Sequence, residues 1–307
     1  MGRYVIRRLL QMIPVFIGAT LLIFLMVNVM GDPIAGLCGD KTCDPATVAQ
    51  LKKEFGLDKP VWQQYLTYMG HLFQGDFGTA FNGQKVIDLM GSAFPVTIRL
   101  TVVAIVFEII IGITLGVITG LRRGRPVDTG VLLLTLVVIS VPTFVTGLIV
   151  QLVLGVNWGI INPSVSTSAP LDELIVPGLV LASVSLAYVT RLTRTSIAEN
   201  RRSDYVRTAI AKGLPRRRVI VRHLLRNSLI PVVTFIGTDI GGLMGGAIVT
   251  ERIFNIHGVG YQLYQGIVRQ NTQTVVGFVT VLVIVFLVAN LLVDLLYAVL
   301  DPRIRYA

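Results

Sequence analysis

Long apolar runs, each near the twenty residues that cross a bilayer and almost free of charge, restrict this chain to one class of fold. They fall near Leu9 to Val29, Val96 to Leu121, Val131 to Val156, Leu174 to Val189, Leu229 to Val249 and Val275 to Val299. Hydrocarbon offers no water to backbone N–H and C=O groups, so such runs predict helices that satisfy their own backbone. The fourth run is short and holds Pro177. A composition of 53% hydrophobic and only 14% charged residues, with a mean hydropathy of +0.73, excludes an ordinary soluble domain. The predicted class is an all-α membrane protein with six transmembrane helices.

Arg3, Arg7 and Arg8 precede the first run as in a secretory signal. The run stays uncharged from Leu9 to Met30, longer than the 7 to 15 residues of a signal's apolar region, and reads as an uncleaved first span. Six spans put both termini on one side, and the Lys/Arg bias of short loops makes that side the cytoplasm. On it fall the N-terminus, the turn at Arg122, Arg123 and Arg125, the segment from Arg191 to Asn227, and the tail with Arg303 and Arg305. The opposite side has a loop from Asn157 to Glu173 without Lys or Arg, and another with only Arg252 and Arg269. The formal net charge of +10 therefore follows the topology instead of forming one basic face, which argues against nucleic acid.

The long loop from Gly31 to Pro95 carries helix signals of its own: Asp44 as cap, Pro45 at the first position and Gly56 as stop. A second helical pattern runs from about Pro60 to Phe73, closed by Gly75-Asp76-Phe77-Gly78. The expected organisation is a first helix over 1–30, a structured extracytoplasmic loop domain over 31–95, and a core over 96–307 containing a cytoplasmic segment, 191–228. That segment is densely basic: Arg191, Arg194, Arg201, Arg202, Arg207, Lys212, Arg216, Arg217, Arg218, Arg222 and Arg226 stand against Glu199 and Asp204. Ser203 or Asp204 can cap a first short helix, Gly213 can end it in the left-handed conformation, and Pro215 suits the start of a second. Such an elbow between two spans is a docking surface.

Catalytic chemistry is hard to place. No G-x-x-x-x-G-K-[ST] loop occurs, so ATP chemistry would belong to another subunit. His71, His223 and His257 are isolated, and no nucleophile, base or metal set stands at recognisable spacing. Glu108 and Asp239 fall about 15 Å along their spans, near the midplane, where ionisable groups face bundle interiors or wet cavities. They either line the route of a cationic group across the membrane or form a protonated or hydrogen-bonded contact between helices. Gly237, Gly241 and Gly245, with Gly242 and Gly246 beside them, serve either close helix packing or a moving gate. Cys38 and Cys43 share a loop placed outside the membrane, where a local disulfide is expected and two free thiols are the alternative.

Many short motifs, in order, carry a resemblance. Asp204-Tyr205-Val206-Arg207-Thr208-Ala209, then Ala211-Lys212-Gly213, His223, Asn227 and Ile230-Pro231 resemble the cytoplasmic coupling motif of ABC importer permeases. Arg8-Leu9 with Pro14, Gly31-Asp32-Pro33, Gly56-Leu57-Asp58 with Pro60, and Gly75-Asp76-Phe77-Gly78 agree with the dipeptide/oligopeptide/nickel branch, first permease subunit. So do Ser140-Val141-Pro142 with Phe144, Glu251 with Ile253-Phe254, Gly258-Val259-Gly260, and the tail Asp294, Tyr297, Asp301-Pro302-Arg303. The wider motif's Glu-Ala-Ala reads Arg207-Thr208-Ala209 here; near Asn271-Thr272-Gln273 and His257 the residues also depart from the branch.

The resemblance implies a type I ABC importer permease fold in a bacterial or archaeal cell membrane. It also implies a homologous second permease, two ATP-binding subunits, an extracytoplasmic solute-binding protein and membrane lipids as partners. No cofactor is expected on this chain, with ATP and Mg on the partner ATPases. Tyr205, Arg207, Thr208, Ala209, Lys212, Gly213, Leu214 and Pro215 would couple to those ATPases, while Glu108, Asp239, Gly241 and Gly245 would line the pathway. Rival readings are an ion-coupled secondary transporter using Glu108 and Asp239 as a proton relay, and an intramembrane enzyme.

Overall fold

The computed structural model describes residues 2–30, 44–54, 58–80 and 83–300. In chain order the described helices are α1 (Gly2–Met30), α2 (Pro45–Glu54), α3 (Val61–Phe73), α4 (Val86–Leu121), α5 (Pro126–Ser140) and α6 (Thr143–Asn157). There follow α7 (Leu171–Asn200), α8 (Asp204–Ala211), α9 (216–228), α10 (Ile230–Ile253), α11 (Val259–Val268) and α12 (Thr272–Leu300). Helices α1, α4, α7, α10 and α12 are each long and apolar enough to cross a membrane, and α5 with α6 makes a sixth crossing if the bent pair is one span.

That pair covers the span expected over Val131 to Val156, and it is bent: α5 and α6 meet at 98°. Pro142 lacks an N–H and crowds the residue before it, so Val141 turns extended at φ −99°, ψ 123°. Alone, the 15 residues of α5 rise about 22 Å, short of a bilayer's hydrocarbon core. The fourth span is longer than its expected limits of Leu174 and Val189, because α7 continues for 30 residues through Arg191 and Arg194. The second starts ten residues before the expected Val96, at Val86, and contains Pro95. Cys38, Cys43, Gly31, Asp32, Pro33, Gly56, Leu57, Arg303 and Arg305 lie outside the described residues.

The chain divides into two compact units. One comprises Gly2–Thr97 with His257–Val288. In it α3 is pinned to α1 by a 2.9 Å bond between the Tyr65 and Thr20 hydroxyls, and to α12 by a 2.6 Å bond between the Tyr68 and Thr280 hydroxyls. Phe24 sits against both tyrosine rings. The turn after α3 uses Gly75 and Gly78 at φ +75° and +78°, and the Asp76 carboxylate accepts the Gly78 N–H at 2.9 Å. The Gln273 side chain then accepts the Thr79 N–H, also at 2.9 Å. Helix α11, which the Gly258-Val259-Gly260 motif did not announce as a helix, begins where the Val259 N–H reaches the Thr97 hydroxyl at 2.8 Å.

The other unit comprises Ile98–Ile256 and the end of α12 from Ala289. Its hub is α7, which packs against the second half of α4 and against α5, α6 and α10. The α4–α7 seam is nearly backbone on backbone. A Cβ on Gly112 would lie 2.8 Å from Val189, one on Gly116 would lie 2.7 Å from the Thr190 carbonyl and clash with Thr193, and one on Gly120 would lie 2.9 Å from Ile197. Glycines every fourth residue thus meet Val189, Thr193 and Ile197 every fourth residue, the spacing at which small residues let helices approach in lipid.

Replacing Gly116 by Ala should therefore force overpacking, typically about 1–3 kcal/mol, with a carbonyl that cannot swing aside. Gly91, on the same helix, meets no atom within 4 Å of a built Cβ. Gly116→Ala should lower the melting temperature and folded yield in detergent, and Gly91→Ala should leave both near wild type.

Candidate functional site

Helix α8 forms the outer arm of the elbow between α7 and α10. Its Val206 and Ala209 are buried with Ile197, Val219 and Leu224, and Val117, Leu121, Leu214 and Leu225 pack around them. Tyr205, Arg207, Thr208, Ile210 and Lys212 face outward. The proposed coupling residues are thereby sorted: Ala209 and Leu214 anchor the elbow, and the others present its face. Ile210 is 62% exposed, an apolar side chain in a basic surface.

The ends of α8 follow from local chemistry. Ser203 takes the cap position with an extended backbone but makes no side-chain capping bond, and Asp204 is the first helical residue. At the other end Gly213 adopts φ +71°. Its N–H reaches the Ile210 carbonyl at 2.9 Å, and the Leu214 N–H reaches the Ala209 carbonyl at 3.3 Å. These two bonds form a Schellman stop, and Leu214 folds back onto the apolar cluster as such a stop favours. Pro215 occupies the cap position of α9. The exposed Arg207–Asp204 pair, at 3.7 Å, adds little.

Polar bonds tie the elbow to the helices behind it. The Tyr205 hydroxyl donates to the Asn200 side chain at 2.7 Å, which in turn donates to the Ser196 carbonyl at 2.9 Å. Arg201 donates to the Leu121 carbonyl at 3.0 Å, filling an acceptor that the end of α4 leaves open. Arg194 clamps Asp128 through two bonds, of 2.5 and 2.8 Å, and Asp128 also accepts the Gly124 N–H at 2.8 Å. Both side chains are largely buried, at 17% and 3% exposure. Sequence reasoning missed this pair. A lone acid just after Arg122, Arg123, Arg125 and Pro126 was the available signal, but its partner stands 66 residues away.

Deeper in the unit, the structure brings Glu108 and Asp239 together. Glu108 opens a π-helical turn, Glu108–Gly112, within α4. Its side chain is wholly buried, neither oxygen has a hydrogen-bond partner of ordinary geometry, and its polar neighbours are the Asp239 carboxylate and the Ser185 hydroxyl. Asp239 is half-buried, with one oxygen similarly unpaired. Of the α10 glycines, Gly237 packs on Val293, whereas Gly245 is exposed and would meet no atom within 4 Å of a Cβ. Gly241 is half-buried. Among the described residues no group of three or more His, Cys, Asp or Glu is arranged to hold a metal.

Comparison with known proteins covers the full length. Residues 112–306 match the family described as binding-protein-dependent transport system inner membrane component, and residues 1–101 match its N-terminal companion. The chain is 37% identical to the dipeptide transport system permease protein DppB of Escherichia coli K12, covering 100% of this chain and 99% of that one. It is 34% identical to the oligopeptide transport system permease protein AppB of Bacillus subtilis, covering 100% of each. It is also 34% identical to the glutathione transport system permease protein GsiC of Salmonella choleraesuis, again over 100% of each.

The Arg194 clamp makes a sharp demand on side-chain shape. A lysine carries the charge but not the planar fork. Arg194→Lys and Asp128→Asn should each destabilise the protein, the second by about 3 kcal/mol because it strands a buried cation. Thermal unfolding in detergent is the check, with the exposed Arg207→Lys as a control expected to stay within a degree of wild type.

Proposed function

Because the chain belongs to the binding-protein-dependent transport system inner membrane component family and is a permease of peptide ABC importers, we propose how it is arranged and what each part does. It pairs with a homologous second permease to enclose one pathway, and an extracytoplasmic solute-binding protein delivers peptide to that pathway. Two ATPase subunits, which carry ATP and Mg, bind on the cytoplasmic side. Both termini and the elbow face the cytoplasm, since the short segments carrying most Arg lie there.

The observation that carries this reading is the elbow. A short amphipathic helix shows Tyr205, Arg207, Thr208, Ile210 and Lys212 to the outside while its other face is bonded into α4 and α7. When ATP draws the ATPases together, the docked α8 moves, and the buried anchors Val206, Ala209 and Leu214 pass that movement to the membrane helices. The open glycine face of α10 at Gly245 meets the second permease. An ion-coupled secondary transporter leaves the elbow without a role, and the family disfavours it.

Two measurements test the assignment. A cysteine in place of Ile210 should cross-link to an ATPase subunit in the assembled importer, and one in place of Thr79 should not. Gly213→Val should strain the left-handed stop by roughly 1–2 kcal/mol or more and misalign α8. Transport-coupled ATP hydrolysis should fall at least tenfold while the spans still insert. Full coupling in that variant, or no cross-link from Ile210→Cys, refutes the assignment.

A further inference from the structure

Three membrane helices bring one polar group each to a common point: Glu108 from α4, Ser185 from α7 and Asp239 from α10. Two carboxyl groups this deep call for a positive partner, because an unpaired buried charge is among the costliest features a fold can hold. The three helices supply none near these positions among the described residues. No Lys, Arg or His lies between Arg99 and Arg122 on α4, between Leu171 and Thr190 on α7, or between Ile230 and Glu251 on α10. A second buried carboxylate of the unit, Asp128, has its arginine.

The surroundings of the Glu108 side chain are a second observation. The side chain is 0% exposed and neither oxygen has a hydrogen-bond partner of ordinary geometry beyond its Asp239 and Ser185 neighbours, in a fold where most buried acceptors are satisfied. It also opens a π-helical turn, an irregularity that in α-helices is often found at functional sites. Asp239 is half-buried and stands where α10 turns bare: a Cβ on Gly242 would come 3.3 Å from its Oδ1, and Gly242, Gly245 and Gly246 are exposed.

We propose that Glu108, Asp239 and Ser185 form a site for one primary ammonium group, the amino terminus of a peptide in transit. An –NH3+ group has three donors, and the three helices offer two carboxylates and a hydroxyl as acceptors. Asp239, nearer the open face, meets the cargo first, and Glu108 behind it completes the charge balance. The proposal rests on the peptide-permease reading and goes beyond it in naming the chemical group held within the membrane. The competing occupant is a proton that stays between the carboxyls and makes them a fixed helix contact.

The test uses the whole importer, with both permeases, the ATPases and the binding protein, reconstituted in vesicles and supplied with radiolabelled dialanine. Uptake per ATP hydrolysed should fall at least tenfold in Glu108→Gln and in Asp239→Asn, which keep size and hydrogen bonding but remove the charge. Asp239→Glu, which keeps the charge, should lose less than threefold. Amide variants within twofold of wild type would overturn the site. A second readout works on the unaltered importer in case the amides fail to assemble: labelling of Glu108 by dicyclohexylcarbodiimide, located by mass spectrometry. Dialanine at saturating concentration should suppress it and N-acetyl-dialanine should not; equal labelling with both would leave only the proton and overturn the site. Absence of ATP-driven dialanine uptake by the wild-type importer would instead count against the peptide reading itself.

Discussion

The rest of the larger unit depends on how closely α4 and α7 approach. Gly112, Gly116 and Gly120 have no room for a methyl group, so the seam sets the separation and register of the two helices with little freedom. In lipid no hydrophobic drive pushes helices together, and the contact must come from packing at short range. The seam runs between two polar features. Glu108 and Ser185 stand at one end, and Leu121, Ile197 and the elbow at the other.

That geometry bears on how motion at a docked ATPase could reach the membrane interior. Leu121 lies 13 residues beyond Glu108, about 20 Å along α4. Over that length α4 is held by the glycine seam, by the Arg201 bond to the Leu121 carbonyl and, through the turn at Gly124, by the Asp128–Arg194 clamp. An element gripped at so many points moves as a body. The weak place is the π-helical turn at Glu108–Gly112, where one extra residue is carried within the helix and the hydrogen-bond ladder is irregular. A rigid arm ending at an irregular turn concentrates displacement where the two acids meet.

Much of this was legible in the sequence because it is local. Apolar run length announces a helix in lipid, and Gly213 before Leu214 and Pro215 announces a left-handed stop. Where the reading fell short, a distant partner decided. Arg191 and Arg194 looked like the end of a span, yet α7 runs on through both to Asn200, with Arg194 neutralised by Asp128, 66 residues earlier. Pro142 and Pro177 sit in similar apolar surroundings and act differently. Pro177 lies in the second turn of a helix closely packed by Val103 against Gly178, and α7 runs on; Pro142 has Val141 extended before it, and the chain turns by 98°. The glycines noticed first, on α10, are partly open, whereas the tightly closed ones are on α4, because glycine spacing reveals a smooth face and not what covers it.

The contrast between the two glycine-bearing helices separates a fixed joint from a movable one. In the second half of α4, Gly112, Gly116 and Gly120 each close against α7, so a shift along that seam would break contacts all along it. On α10, Gly237 packs on Val293, but a Cβ on Gly245 would meet nothing within 4 Å among the described residues and one on Gly246 only the tip of Leu181 at 3.5 Å, so this stretch of the helix is smooth and open. Asp239 stands on this second helix and Glu108 on the first. The two acids therefore stand on helices packed to different degrees, and a rearrangement that displaced α10 relative to the α4–α7 body would change their separation directly. A group held between them would be bound in one arrangement and released in the other, as a carrier between two sides of a membrane requires.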